Sequence, residues 1–121
     1  MELNQNPHCH GICASNTVSY DFEGLGEKIW AKKTSPLAHL GGGGISSRRL
    51  KPYVCRWISK LRDRGFAKSI NGGGGIYFRR DIDDYHKAGA SSVFLGSVLT
   101  LWPFLAEWLI SYANQLNWRD T

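Results

Sequence analysis

Residues 70–99 read "INGGGGIYFRRDIDDYHKAGASSVFLGSVL". An apolar position leads into four consecutive glycines, Gly72 to Gly75. A segment with helical spacing follows, and a second apolar run ends at Gly96 and Ser97. Glycine loses more backbone freedom on folding than any other residue, so a run of them marks a place where bare backbone is needed. Where strands feed helices, ligands collect at the carboxyl ends of the strands. Backbone N–H groups there can approach an anion, and the following helix adds a positive dipole end. Gly74, Gly75, Gly96 and Ser97 all fall at such ends and read as a phosphate cradle. For Gly72 and Gly73 the competing reading is a tight turn.

Working outward, "FAKSI" before the glycines reads as a short strand, and a helix is expected from about Arg79 to Ala88. "SSVFLGSVL" reads as a strand ending near Gly96, followed by one helix through "WPFLAEWLISYANQL". In that helix Leu101, Phe104, Leu105, Trp108, Leu109 and Tyr112 form an apolar stripe. Upstream, Gly11 to Ser15 reads as a short buried strand that ends in Asn16 and Thr17. Residues 19–40 make an excursion too long for a plain loop, which points to a hairpin or lid. Ser46 or Ser47 offers an N-cap hydroxyl. Leu50, Val54, Trp57, Ile58 and Leu61 then recur at helical spacing, with Pro52 in the first turn and Gly65 as the stop. Strands alternating with helices predict an α/β chain of parallel βα units, folded as one domain over residues 1–121.

Composition narrows the class. The 121 residues are 42% hydrophobic and 21% charged, with five tryptophans, which suits one globular domain. The polar start "MELNQNPHCHG" lacks the apolar core of a secretory signal. The most apolar stretch, "SSVFLGSVLTLWPFLAEWLI", is interrupted by Gly96, Pro103 and Glu107, so no membrane span is expected. Three cysteines cannot all pair, and a reduced, cytoplasmic protein is expected. "HCHGIC" invites a zinc reading, but zinc sites draw paired ligands from two separate places. No metal is therefore expected, and Cys13 reads as a small buried strand residue. The net charge of +5 comes from Lys and Arg scattered among acids. With no run of basic residues a nucleic-acid partner is not expected, and a small anionic ligand fits the charge equally well.

Four motifs in order, "SNTV", "GGISSRRLKP", "INGGGGI" and "DIDDYHKAGASSVFLGSVL", resemble the carboxyl-terminal part of dihydroorotate dehydrogenases. These are FMN-dependent (β/α)8 barrels of pyrimidine synthesis. The resemblance runs from about Gly11 to Gln115 and implies about three βα units from the end of a TIM (β/α)8 barrel. It places Asn16 and Thr17 at the pocket for a dihydroorotate- or orotate-like molecule. It makes Gly74, Gly75, Gly96 and Ser97 donors to the FMN phosphate. Ser46 and Ser47 fall on a loop that also faces this phosphate. The family commonly has glycine where Ser47 stands, and a serine there would donate from its hydroxyl.

The same resemblance puts the family's proton-abstracting Cys or Ser after an earlier strand that this sequence does not include. Cys9, Cys13 and Cys55 do not match it, so no catalytic residue is assigned. A barrel takes eight strands and about 250 residues, and three strands leave two open edges. The expected function is the FMN-phosphate and substrate side of an oxidoreductase converting dihydroorotate to orotate, incomplete by itself. Self-association or a complementary chain would complete it. Two other readings remain open: another flavin- or phosphate-binding barrel, such as an enzyme reducing uridine in tRNA, and a non-catalytic phosphate-ligand or interaction module.

Overall fold

Ile70 and its neighbours form the central strand of a parallel sheet, in a computed structural model that describes residues 2–15, 18–32, 34–41, 43–45 and 47–119. Strand β1 (Gly11–Ala14) and strand β5 (Ser92–Phe94) flank strand β4 (Ser69–Gly73), in the order β1-β4-β5. Ile12 aligns with Ile70, and Gly72 with Val93. Helices α3 (Lys51–Asp63) and α4 (Arg79–Ala88) connect these strands and pack on the sheet. The expected α/β class and parallel order are what the chain adopts. Among the described residues, β1 and β5 each pair on one side only.

The glycine run divides differently from the turn reading. Gly72 and Gly73 lie inside β4, where alternate positions face opposite sides. A Cβ on Gly72 would stand 2.7 Å from the Tyr85 ring and 3.0 Å from Ile58. A Cβ on Gly73 would overlap the ring of Phe94. Both glycines leave room for large neighbours, not for a turn. Leu50 just ahead of α3, and Val54 and Ile58 on it, are fully buried, and Gly65 ends the helix at φ +93°, donating to the Arg62 carbonyl at 2.9 Å. Pro52 sits in the first turn, where its missing N–H has no intrahelical role. On α4, Ile82 and Tyr85 are fully buried.

Two expectations near the ends of the sheet need correction. Cys13 is exposed, because β1 is an edge strand whose side toward Cys13 has no covering element among the described residues; Ile12 and Ala14 are half-buried. The long final helix is two helices, α5 (Ser97–Leu101) and α6 (Pro103–Ala113). Trp102 between them leaves the helical conformation at φ −143° and ψ +81°, and Pro103 restarts the helix at its first position. The apolar stripe is split as well. Ala106 and Leu109 are buried, while Leu101, Trp108 and Phe104 are exposed, the last at 88%. Helix α6 docks on α4 through the Tyr112 hydroxyl, which donates to Asp83 at 2.6 Å, and through Arg79 stacked 4.5 Å over Trp108.

The excursion has a closed base. Strand β2 (Val18–Ser19) pairs antiparallel with β3 (Gly44–Ile45), and helix α2 (Leu25–Trp30) lies between them. At the amino terminus, helix α1 (Glu2–Gln5) is tied down by Asn4, which donates to the Gly65 carbonyl and accepts from the Ala67 N–H. Among the described residues, no helix is long and apolar enough to cross a membrane.

Arg62 stitches the amino-terminal end of the sheet. Its guanidinium donates to the carbonyls of Gly89, Phe66 and Lys68 at 2.9, 2.8 and 2.7 Å, and to the Ser91 hydroxyl at 3.2 Å. This gathers the ends of α3 and α4 and the approach to β4. Arg62→Met keeps the aliphatic stem but leaves those carbonyls unpaired, which should cost about 2 kcal/mol of stability. Urea unfolding followed by circular dichroism measures it, and an unchanged midpoint would show that solvent replaces the clasp.

Candidate functional site

Three strand ends meet at the carboxyl edge of the sheet. After β1, the Ser15 N–H donates to the Gly73 carbonyl at 3.2 Å, and the Ser15 hydroxyl is buried with no hydrogen-bond partner among the described residues. After β4, Gly74 and Gly75 turn the chain at φ +116° and +72°, in the left-handed region that side chains rarely adopt. After β5 come Leu95, Gly96 and Ser97. Gly74, Gly75, Ile76, Phe94, Gly96 and Ser97 line one small concavity of about 20 Å³. Four of the residues read from the sequence as phosphate donors are thus brought together.

The loop ahead of α3 closes the back of this turn. A Cβ on Gly75 would stand 2.7 Å from the Ser47 carbonyl oxygen and 2.9 Å from the Arg48 Cα. Gly75 is therefore demanded by contact within the protein as well as by its φ. Gly96 is different: a Cβ there would meet no atom within 4 Å. The Ser47 hydroxyl accepts from the Arg49 N–H at 3.2 Å and caps the 3₁₀ turn Arg48–Leu50. Its visible task is local. Asn16, Thr17 and Ser46 lie outside the described residues.

What positions the loop is a group the sequence reading passed over. Asp81 is fully buried, and one carboxylate oxygen accepts from the N–H groups of Tyr77 and Phe78, each at 2.9 Å. The other oxygen accepts from Lys51 Nζ at 2.6 Å, and Arg48 lies 3.8 Å away. Lys51 also donates to Asp84 at 2.6 Å. Burial alone would raise the Asp81 pKa, but the hydrogen bonds from Lys51, Tyr77 and Phe78 hold it below the usual carboxylate range. Burial alone would lower the Lys51 pKa, and its bonds to Asp81 and Asp84 hold it above its ordinary value.

This arrangement alters the expected role of the helix dipole. The amino-terminal end of α4 already carries its own carboxylate, and α5 is only five residues long. An anion at the concavity would depend on donors from Gly75, Ile76 and Ser97 rather than on a long helix. Tyr85, directly beneath, donates to the Gly74 carbonyl at 2.6 Å. Burial pushes its phenol far above the ordinary range, so it stays a neutral donor that pins the turn. Burial also pushes the Cys55 thiol up to about 11, which keeps it unreactive inside α3. An acid at the third helical position, reaching back to the N-cap, is a signal present in the sequence. Its partner Lys51, thirty positions earlier, is not.

No protein-family model matches the chain. Among curated proteins, dihydroorotate dehydrogenase A (fumarate) of Lactobacillus delbrueckii is 37% identical over 87 residues, 72% of this chain and 26% of the relative. The catalytic subunit of dihydroorotate dehydrogenase B (NAD(+)) of Listeria monocytogenes is 33% identical over 101 residues, 84% of this chain and 31% of the relative. That of Anoxybacillus flavithermus is 30% identical over the same length. The chain is a homologue of dihydroorotate dehydrogenases. It spans between 26% and 31% of the length of these relatives, in their carboxyl-terminal part. The likeness read from the motifs therefore extends over most of the chain.

The Asp81–Lys51 pair gives stability a defined pH dependence. With the folded Asp81 pKa below its unfolded value of about 4, its contribution is complete at neutral pH and disappears as pH falls through the folded value. Lys51, held above its ordinary value, loses its contribution only as pH rises through the folded value. Asp81→Asn should destabilise the protein by about 3 kcal/mol at pH 7, and the gap to the parent should shrink below pH 4. Urea midpoints between pH 2 and 7 test this. A gap that is constant across that range would mean the charge of Asp81 is not what holds the loop.

Proposed function

We propose that this chain forms the FMN-phosphate and substrate side of an oxidoreductase that converts dihydroorotate to orotate. One observation carries the reading: two successive strand ends, at Gly74–Gly75 and Gly96–Ser97, converge on a single concavity at the carboxyl edge of a parallel sheet. The homologues named dihydroorotate dehydrogenase support the same chemistry.

The residues present suit a phosphate. The concavity itself has room for about one water, but its Gly96 side is open to a depth that a Cβ would enter without touching protein. Backbone N–H groups of Gly75, Ile76 and Ser97 would hold the anion, with Tyr85 and the Asp81–Lys51 pair keeping the turn in place. The buried Ser15 hydroxyl at the neighbouring strand end, which has no partner among the described residues, would be a further donor. FMN, when bound, supplies the two-electron acceptor. This chain would contribute binding and orientation, with Asn16 and Thr17 pairing to polar edges of the pyrimidine. The base that removes the neighbouring proton would come from outside these residues. The βα units would then be completed into a barrel by a further segment, a second copy or a complementary chain.

Gly96→Val tests the cradle, because a Cβ at Gly96 meets no protein atom within 4 Å whereas a substitution at Gly75 would strain the fold itself. The variant should unfold at the parent's temperature yet bind FMN at least roughly tenfold more weakly, about 1.4 kcal/mol, by fluorescence titration of the flavin. Equal FMN binding by parent and variant, or no FMN binding by the parent, would overturn the reading. Asn16→Ala should weaken orotate binding by about 1–3 kcal/mol with little change in unfolding temperature.

A further inference from the structure

The excursion encloses a second cavity, built from residues that take no part in the strand-end site. Tyr20 is buried there, and its hydroxyl donates to the Lys32 carbonyl at 2.6 Å. Trp30 stacks nearly parallel to it, with ring centroids 6.1 Å apart and planes 12° from each other. Two glycines bring the backbone close to these walls. A Cβ on Gly26 would lie 2.5 Å from the Tyr20 ring, and one on Gly43, at φ +69°, would lie 2.8 Å from Leu37. Pairing of β2 with β3 fixes Ile45 as a buried wall. The excursion is thus a built pocket, not slack chain.

Its volume is about 410 Å³, within the range of roughly 300–1,000 Å³ in which small-molecule sites fall. Tyr20, Trp30, Pro36, Leu37 and Ile45 supply an apolar, flat-sided interior. Beyond the polar tips of Tyr20 and Trp30, Lys32 and Ser35 supply the polar side chains of the lining. The Ser35 hydroxyl accepts from the Leu37 N–H at 3.1 Å and so helps shape the wall. Lys32 is exposed and has no ion-pair partner among the described residues. A sugar or other polyol would find too few polar groups here, and a cation would meet Lys32. Stacked aromatics beside an ammonium that has no ion-pair partner among the described residues favour a flat apolar ring that ends in an anion.

We propose that this pocket binds a flat, largely apolar ring compound bearing one carboxylate or similar oxyanion, with the ring beside Tyr20 and Trp30 and the anion toward Lys32. The test uses the full chain with 2-naphthoate as probe and neutral 2-naphthalenemethanol as its control, followed by the indole N–H signals in ¹H–¹⁵N spectra. Trp30→Phe identifies the Trp30 signal. Saturable naphthoate binding should move that signal. Lys32→Met should weaken naphthoate at least roughly fivefold while leaving the neutral control within about twofold. Trp30→Ala should weaken both by about tenfold. Because Lys32 is exposed, its variant keeps the test decisive even where Trp30→Ala unfolds. Absence of saturation, naphthoate binding indifferent to Lys32→Met, or shifts confined to Trp102 and Trp108 would each overturn the proposal.

Discussion

A single buried carboxylate holds the candidate site together. Asp81 is cut off from water, and an isolated charge in that position would cost several kcal/mol. It is tolerated because Lys51 and two backbone N–H groups surround it. Those contacts come from different parts of the chain: the start of α3, the turn after β4 and the first turn of α4. The same constraint therefore fixes how two helices meet and where the Gly74–Gly75 turn lies. Arg48 extends the network, reaching toward Asp81 and stacking 4.7 Å over Phe78. The loop ahead of α3 is in this way pressed against Gly75, and only glycine fits there.

At the opposite end of the strands, Arg62 does comparable work with uncharged partners. It supplies donors to three carbonyls where α3, α4 and β4 come together. The sheet between these two clasps is asymmetric. One face carries Ile70 and Gly72 beneath Ile58 and Tyr85. The other presents Cys13, Asn71 and Ser92, joined across the strands by Asn71 beside the Cys13 sulfur at 3.9 Å and by the Ser92 hydroxyl donating to Asn71 at 2.9 Å. A polar row of this kind tolerates water, which an apolar barrel interior would not.

The glycines illustrate how one residue type serves separate physical ends. Gly72 and Gly73 make space for rings on either face of β4. Gly74 and Gly75 provide positive φ, and Gly75 adds a close approach to Ser47 and Arg48. Gly96 has neither positive φ nor a crowding neighbour, so local packing gives no reason for its lack of a side chain. That contrast is why the phosphate reading leans on Gly96 more than on the conspicuous run of four.

Much of the fold was legible in the sequence by itself. The recurrence of Leu50, Val54 and Ile58 with Gly65 beyond them defined α3, and the bounds of α4 followed from its spacing. Alternation of strands and helices implied parallel pairing, and the order of four motifs carried the likeness to dihydroorotate dehydrogenases. These features depend on preferences that act within a few residues. Tertiary structure decided the rest. Asp81 and Lys51 each look like solvated positions until their helices meet. The placement of Gly72 and Gly73 depended on Tyr85, Ile58 and Phe94, and the exposure of Cys13 on its strand lying at an edge. The stacking of Tyr20 on Trp30 required the excursion to close on its own base. Burial, charge pairing and cavity shape are set by which distant elements touch, and a linear pattern does not encode that directly.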